Sequence, residues 1–496
     1  MRDEGASFTV RAMRHLQRKA LSRRRFSQLG LAAVLTRVVA RGNGPEAAAG
    51  PTHLDRFGGW TGKRFEATGF FRTEQDGRWW LVTPEGNAFL SFGINHLYPD
   101  LFNQDYNREA WRERLGVEAL GQGNQFAPAL RGWFLGVCRD FGFNTVGVHN
   151  SLQIVNRPRP AVPYMQPIRF VDIPHWRQAV PDGHFLDVFA PEFAARCDRM
   201  AREHAAPLRE DPFLLGYSMT DCPLFTEEDC RERPDVIGGA RRASRIGWPR
   251  RLRNLGASAP GKRAYVQTMK RLYRRRIGDF NTTYGTAFDS FDALAANENW
   301  RPETDRSNGN ERRDNVEFLK EVVDQYYRTA REAIRRYDPN HLFFGDKINA
   351  NTDALDTVLP VTIHYTDVVF YQMYGRYEVQ APGLDRWSRI ADQPVINGDS
   401  AFTMVTDTMP RPYGPVADHL TQRAAWTDEF FRKAFARPEF VGWHYCGLID
   451  ASNRVPRKQA RQHSGLLDGF GTPYPQLQAV LRKASADHYR IAMRRG

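Results

Sequence analysis

Five cysteines among 496 residues are too few and too scattered to staple a chain of this length. Cys138, Cys197, Cys222, Cys230 and Cys446 are odd in number, and no two have the short spacing of a zinc knuckle or a redox pair. The fold must therefore rest on a hydrophobic core, and Cys222 and Cys446, each just past a candidate strand end, read as buried thiols. Also missing is any run of the ~20 apolar residues that a membrane-spanning helix needs. There is no internal repeat beyond an alternation of strands and helices. Acidic side chains are in deficit, 57 Asp and Glu against 70 Lys and Arg, giving a net charge of +13. Such a balance suggests an anionic partner, but no recognition motif accompanies it, which argues against nucleic acid.

Part of the excess is local. Residues 1–50 hold ten Lys/Arg and three Asp/Glu. They include Ser22-Arg-Arg-Arg-Phe-Ser-Gln-Leu29, a modest apolar stretch from Gly30 to Ala40 interrupted by Arg37, and Ala47-Ala-Ala49. This segment resembles a twin-arginine export signal, which implies a partner in the twin-arginine export machinery and a periplasmic or secreted protein with no stable membrane span. The alternative is a disordered basic tail. A second basic block, Ile237 to Gly278, carries thirteen Lys/Arg and no acid. It reads either as a solvated helix and loop or as a surface for an acidic polymer.

Short β-branched and aromatic runs recur with helical stretches between them, the pattern of a parallel sheet with crossover helices. Eight such runs are present: Phe89–Asn95, Phe143–His149, Pro167–Asp172, Phe213–Thr220, His341–Asp346, Asp367–Tyr374, Pro394–Asp399 and Phe440–Tyr445. Eight parallel strands close a barrel, so the expected class is α/β, a (β/α)8 TIM barrel over 89–485. Residues 51–88 contain the Asp76-Gly77 turn signal and are expected to form a β-hairpin that plugs the barrel bottom, with Trp79 and Trp80 in its core. Residues 226–310 form a long insertion after the fourth strand.

In such barrels chemistry sits at the C-terminal strand ends, where this chain has Asp221 and Asp399. Asp346 ends the fifth strand and is a third candidate carboxylate. Asn95, His96, His149 and Asn150 lie at the ends of the first and second strands, and His444 near the end of the eighth; all are candidates for substrate binding.

Several segments carry a resemblance to a known family. Asp76–His96, Asp211-Pro-Phe-Leu-Leu-Gly-Tyr217 and Gly465-Leu-Leu-Asp-Gly-Phe-Gly-Thr-Pro-Tyr-Pro475 resemble their counterparts in β-agarases, and Arg276–Phe288 resembles the β-galactosidases of the same retaining-glycosidase clan. The resemblance implies an exported glycoside hydrolase that cleaves O-glycosidic bonds of a polysaccharide or oligosaccharide, with no cofactor and no metal. It also implies a proton donor after the fourth strand and a nucleophile at the end of the seventh, both Glu in the family. This chain has Thr220-Asp-Cys-Pro223 and Gly398-Asp-Ser400 there. Either Asp221 takes the donor position, or it replaces the family's preceding Asn and Cys222 stands where the Glu would be. By the same resemblance Tyr374 corresponds to a Tyr that hydrogen-bonds the nucleophile, and Trp443 to an aromatic sugar platform. Two Asp on an unchanged frame would stand ~2–3 Å farther apart than two Glu, towards inverting geometry. Two other readings stay open. One is a glycan-binding barrel without catalysis. The other is a metal-dependent hydrolase using His96, His149, Asp221, Asp346 and His444, against which the chain lacks a His-x-His pair on its first strand.

Overall fold

The computed structural model describes residues 53–494, apart from 122–124, 157, 172–185, 224, 226–246, 301–308, 411, 413 and 451–464. The basic leader, Cys230 and the first part of the insertion lie outside the described residues. Among the described residues no helix is long and apolar enough to cross a membrane.

The chain opens with a four-stranded antiparallel sheet in the order β1-β4-β3-β2, built from β1 (Trp60–Arg64), β2 (Arg72–Gln75), β3 (Trp79–Val82) and β4 (Asn87–Phe89). The expected hairpin is its β2–β3 pair, turning through Asp76 and Gly77, whose φ is +70°. Trp80 is fully buried and Trp79 is half-buried. The sheet meets the start of several barrel strands. Arg78 donates hydrogen bonds to the carbonyls of Phe435, Arg437, Phe440 and Ala492, and Phe57 and Phe70 lie against Phe213 and His341.

Eight parallel strands then close a barrel: β5 (Ser91–Ile94), β6 (Thr145–Val146), β7 (Tyr164–Pro167), β8 (Leu214–Asp221), β9 (Leu342–Asn349), β10 (Val369–Gln372), β11 (Val395–Ser400) and, after the small β12–β13 pair (Thr403–Met404 and Val416–Ala417), β14 (Phe440–Tyr445). The fold is a (β/α)8 TIM barrel.

Two strands differ from expectation. The run from Phe89 is split, Asn87–Phe89 joining the N-terminal sheet and Ser91–Ile94 the barrel. The third strand is Tyr164–Pro167 and not Pro167–Asp172. Its ladder to β8 runs from Tyr164 opposite Leu214 to Pro167 opposite Ser218, so the proline, lacking an N–H, ends the strand.

Helices cover the outer face. Those most relevant to the site are Gly309–Tyr337, which returns from the insertion to β9, and Leu420–Phe435, which precedes β14. Within the described part of the insertion, much of the basic charge is used internally. Arg250 and Arg253 pair with Glu311, Lys262 donates to the carbonyl of Asn297, and Arg271 pairs with Glu321.

Candidate active site

The last residues of β8 and β11 bring Asp221 and Asp399 to the C-terminal end of the barrel, although they lie 178 positions apart in the sequence. Between them stands a residue that the sequence reading missed. Lys347, on β9, is buried, with its Nζ 2.9 Å from Asp221 Oδ1 and 2.8 Å from Asp399 Oδ2. The two carboxylate oxygens are thus no farther apart than these contacts laid end to end. Lys347 Nζ also lies 2.6 Å from His149 Nε2, which in turn is 3.4 Å from Asp221 Oδ1 and 3.6 Å from Asp399 Oδ2.

Asp399 is the better held of the two. Its side chain is 4% exposed; Asn95 Nδ2 donates to its Oδ1 at 2.9 Å, and His96 Nε2 lies 3.7 Å from the same oxygen. Burial alone would raise this carboxyl, but Lys347 and the His96 and His149 rings overcome burial and hold it well below the usual carboxylate range. The same balance governs Lys347. Burial opposes its charge, yet Asp221 and Asp399 raise it above the ordinary lysine value. His149 is pushed down to about 4, first by burial and then by Lys347, so at neutral pH its ring is uncharged and accepts from the ammonium.

The open side of the cluster is marked by Asp221, 23% exposed, and His96, 16% exposed. His96 is held there by a left-handed backbone, φ +70°, its N–H donating to the His149 carbonyl and its ring stacked on His149 at 4.9 Å. Two further neighbours escaped the sequence reading. Tyr98 packs its ring edge against His96, and its phenol is pushed up to about 12 by burial and by Asp221, against the opposing charge of Arg169. Nothing in the local sequence marks Tyr98 or Arg169, because both act from loops beyond strand ends.

The remaining candidates separate. His444 faces the barrel interior below the cluster, its Nε2 2.8 Å from Ser91 Oγ, and burial lowers it to about 3. Asn150 is half-buried and committed to the backbone, donating to the carbonyls of Ile94 and Gly147 and accepting from the N–H of Leu97. Tyr374 is buried two residues past β10, its backbone clasped by the Asn351 side chain. Asp221 turns its carboxylate to Lys347. Cys222 is buried, with φ +44°, and donates its N–H to the Lys347 carbonyl.

Two expectations are corrected by strand faces. Trp443 is no sugar platform. It is fully buried against Phe430 and Phe431 of the outer helix Leu420–Phe435, because alternation along β14 turns Trp443 outward and His444 inward. Asp346 also faces outward, where its Oδ1 accepts from Tyr326 of helix Gly309–Tyr337 and from the N–H of Thr220. Phe343, three residues earlier, contacts the same helix through Tyr327. An odd spacing on one face requires a bulge, and the β8–β9 register slips there, at Gly345 with φ +67°. The bulge turns Asp346 out and Lys347 in.

No protein-family model matches the chain. It is 22% identical over 502 aligned residues to β-agarase B of Vibrio sp. (strain JT0107), covering 88% of this chain and 50% of that one. It is 23% identical to β-agarase A of the same organism, covering 84% and 45%. The chain thus spans about half the length of the curated relatives it matches. Among solved structures, an exo-β-agarase superposes with a TM-score of 0.70 at 18% identity, covering 90% of this chain and 68% of that one. A second agarase gives 0.69 at 18% identity, covering 90% and 69%.

Proposed function

We propose that this protein is a glycoside hydrolase that cleaves O-glycosidic bonds of a polysaccharide or its oligosaccharides, with Asp399 as nucleophile and Asp221 as proton donor. The observation that carries the proposal is the convergence of two carboxylates from β8 and β11 on one ammonium at the C-terminal end of the barrel. Asp399 is buried, ionised and oriented by Asn95, which suits attack on an anomeric carbon and stabilisation of an oxocarbenium-like transition state. Asp221, the more exposed of the pair, meets the leaving-group oxygen on the open side. His96 and Tyr98 line that side and offer hydrogen-bonding groups to sugar hydroxyls. The resemblance to retaining glycosidases favours retention of anomeric configuration, which a pair bridged by one ammonium allows. The relatives named as agarases make agarose and its oligosaccharides the first substrates to try. The twin-arginine-like leader supports export to the periplasm or medium.

A specific observation supports a second reading, a glycan-binding barrel without turnover: Lys347 pairs with both carboxylates, leaving neither as an evident acid. One experiment separates the two. Hydrolysis of agaro-oligosaccharides followed by NMR at early times should show the retained anomer, and Asp221→Asn and Asp399→Asn should each lower kcat/KM by ~10²–10⁴-fold. An inverted product, or Asn variants with unchanged rates, overturns the assignment. Binding without hydrolysis, unaltered in both variants, establishes the second reading.

A further inference from the structure

Three neighbouring barrel strands, in the order β11-β14-β5, carry Asp399, Cys446 and His96 at or just past their C-terminal ends. A carboxylate oxygen of Asp399, the Cys446 sulfur and a His96 ring nitrogen all lie within 4.8 Å of one another. We propose that these three side chains form a binding site for a divalent transition metal of the zinc class. One oxygen, one nitrogen and one sulfur donor around a common point are the mixed set that zinc accepts in tetrahedral coordination, with the fourth position left for solvent.

The placement supports this beyond proximity. Each ligand sits at the end of a barrel strand, so the backbone fixes the set. Asp399 divides its two oxygens: Oδ2 faces Lys347 at 2.8 Å, while Oδ1 faces His96 at 3.7 Å. Oδ1 already accepts a hydrogen bond from Asn95, and a carboxylate oxygen can bind a metal alongside such a donor. The supporting shell that orients metal ligands is present too. Asn95 and Lys347 hold the carboxylate, His149 stacks on the His96 ring, and the Ser400 carbonyl accepts the N–H of Cys446. His96 is partly open to solvent, so the set lies one side chain from the surface. The cluster also has charge to receive a cation, since two carboxylates face the single ammonium of Lys347. On binding, the Cys446 S–H gives its proton to solvent and the thiolate bonds the metal.

The site's effect rests on the hydrolase reading, because a metal on Asp399 would occupy the proposed nucleophile and make the ion an inhibitor. Its existence does not. The test is titration of the full chain with Co²⁺, followed by the thiolate-to-cobalt charge-transfer absorption, which reports a Cys ligand whether or not the protein hydrolyses anything. The absorption should appear in the wild type and in the control Cys138→Ser, and Zn²⁺ should displace it. It should vanish in Cys446→Ser. In His96→Ala the cobalt Kd should rise at least ~10–100-fold, the cost already known for losing a supporting partner alone. If Cys446→Ser fails to fold, the His96 variant decides. Absence of the absorption in the wild type, its survival in Cys446→Ser, or an unchanged Kd in His96→Ala overturns the site.

Discussion

Lys347 is the residue on which the electrostatics of this barrel turn. It is 1% exposed and touches both carboxylates and His149, so removing its charge leaves two buried or half-buried acids facing each other. Breaking such a buried network by deleting one partner costs about 3–5 kcal/mol. Lys347→Met should therefore destabilise the protein, and the loss should depend on pH. In the wild type Asp399 is depressed below its ordinary value, so its contribution is present above about pH 4 and fades only as pH falls through the depressed value. Without Lys347 burial dominates and the carboxyl rises. The penalty is then largest near pH 7 and shrinks towards pH 4, which urea denaturation at the two pH values will show. A sequence reading could find Asp221 and Asp399, because each closes an apolar run. It could not find Lys347, because the apolar run stops short of it, at Asp346.

At the scale of elements, the strands were legible where the chain is continuously apolar, as in β8, β11 and β14, and less so where a bulge or proline intervenes. Alternation alone puts Trp443 and His444 on opposite faces, so the two could not both serve a substrate in the barrel mouth. Asp346 is a different matter, since its direction depends on a left-handed glycine that propensity does not announce. That strand–helix contact is testable. Burial raises the Asp346 carboxyl to about 7, with hydrogen bonds from Tyr327, Thr220 and Tyr326 opposing the rise. A carboxyl raised on folding favours the fold while it is protonated, and that contribution is lost as pH climbs through the raised value. Asp346→Asn, which stays neutral, should therefore gain on the wild type between about pH 4 and pH 8, by up to ~4 kcal/mol for a shift of this size. Parallel denaturation curves of the two proteins across that range will measure it.

At the scale of the whole molecule, Arg78 makes most of the polar contacts that join the N-terminal sheet to the barrel among the described residues. Its guanidinium donates to four carbonyls from the end of helix Leu420–Phe435, the residues leading into β14 and the helix His488–Met493. Charged hydrogen bonds of this kind are worth more than neutral ones, and their loss strands buried acceptors. Arg78→Ala should cost about 3–5 kcal/mol in urea denaturation while leaving the spacing around Lys347 unaltered, so residual activity per folded molecule should match the wild type. The sequence pointed to the hairpin through Asp76-Gly77, but Arg78, the very next residue, carried no sign of its role. A single arginine becomes a clasp only once distant chain ends arrive around it.

The slip at Gly345 has an evolutionary corollary. Because the left-handed turn at Gly345 decides whether an ammonium or a carboxylate looks into the cavity, straightening it to regular alternation over the same residues would exchange the two without altering either side chain. A barrel built this way can acquire or discard a cationic centre through the backbone conformation of one glycine, leaving every other strand end as it stands.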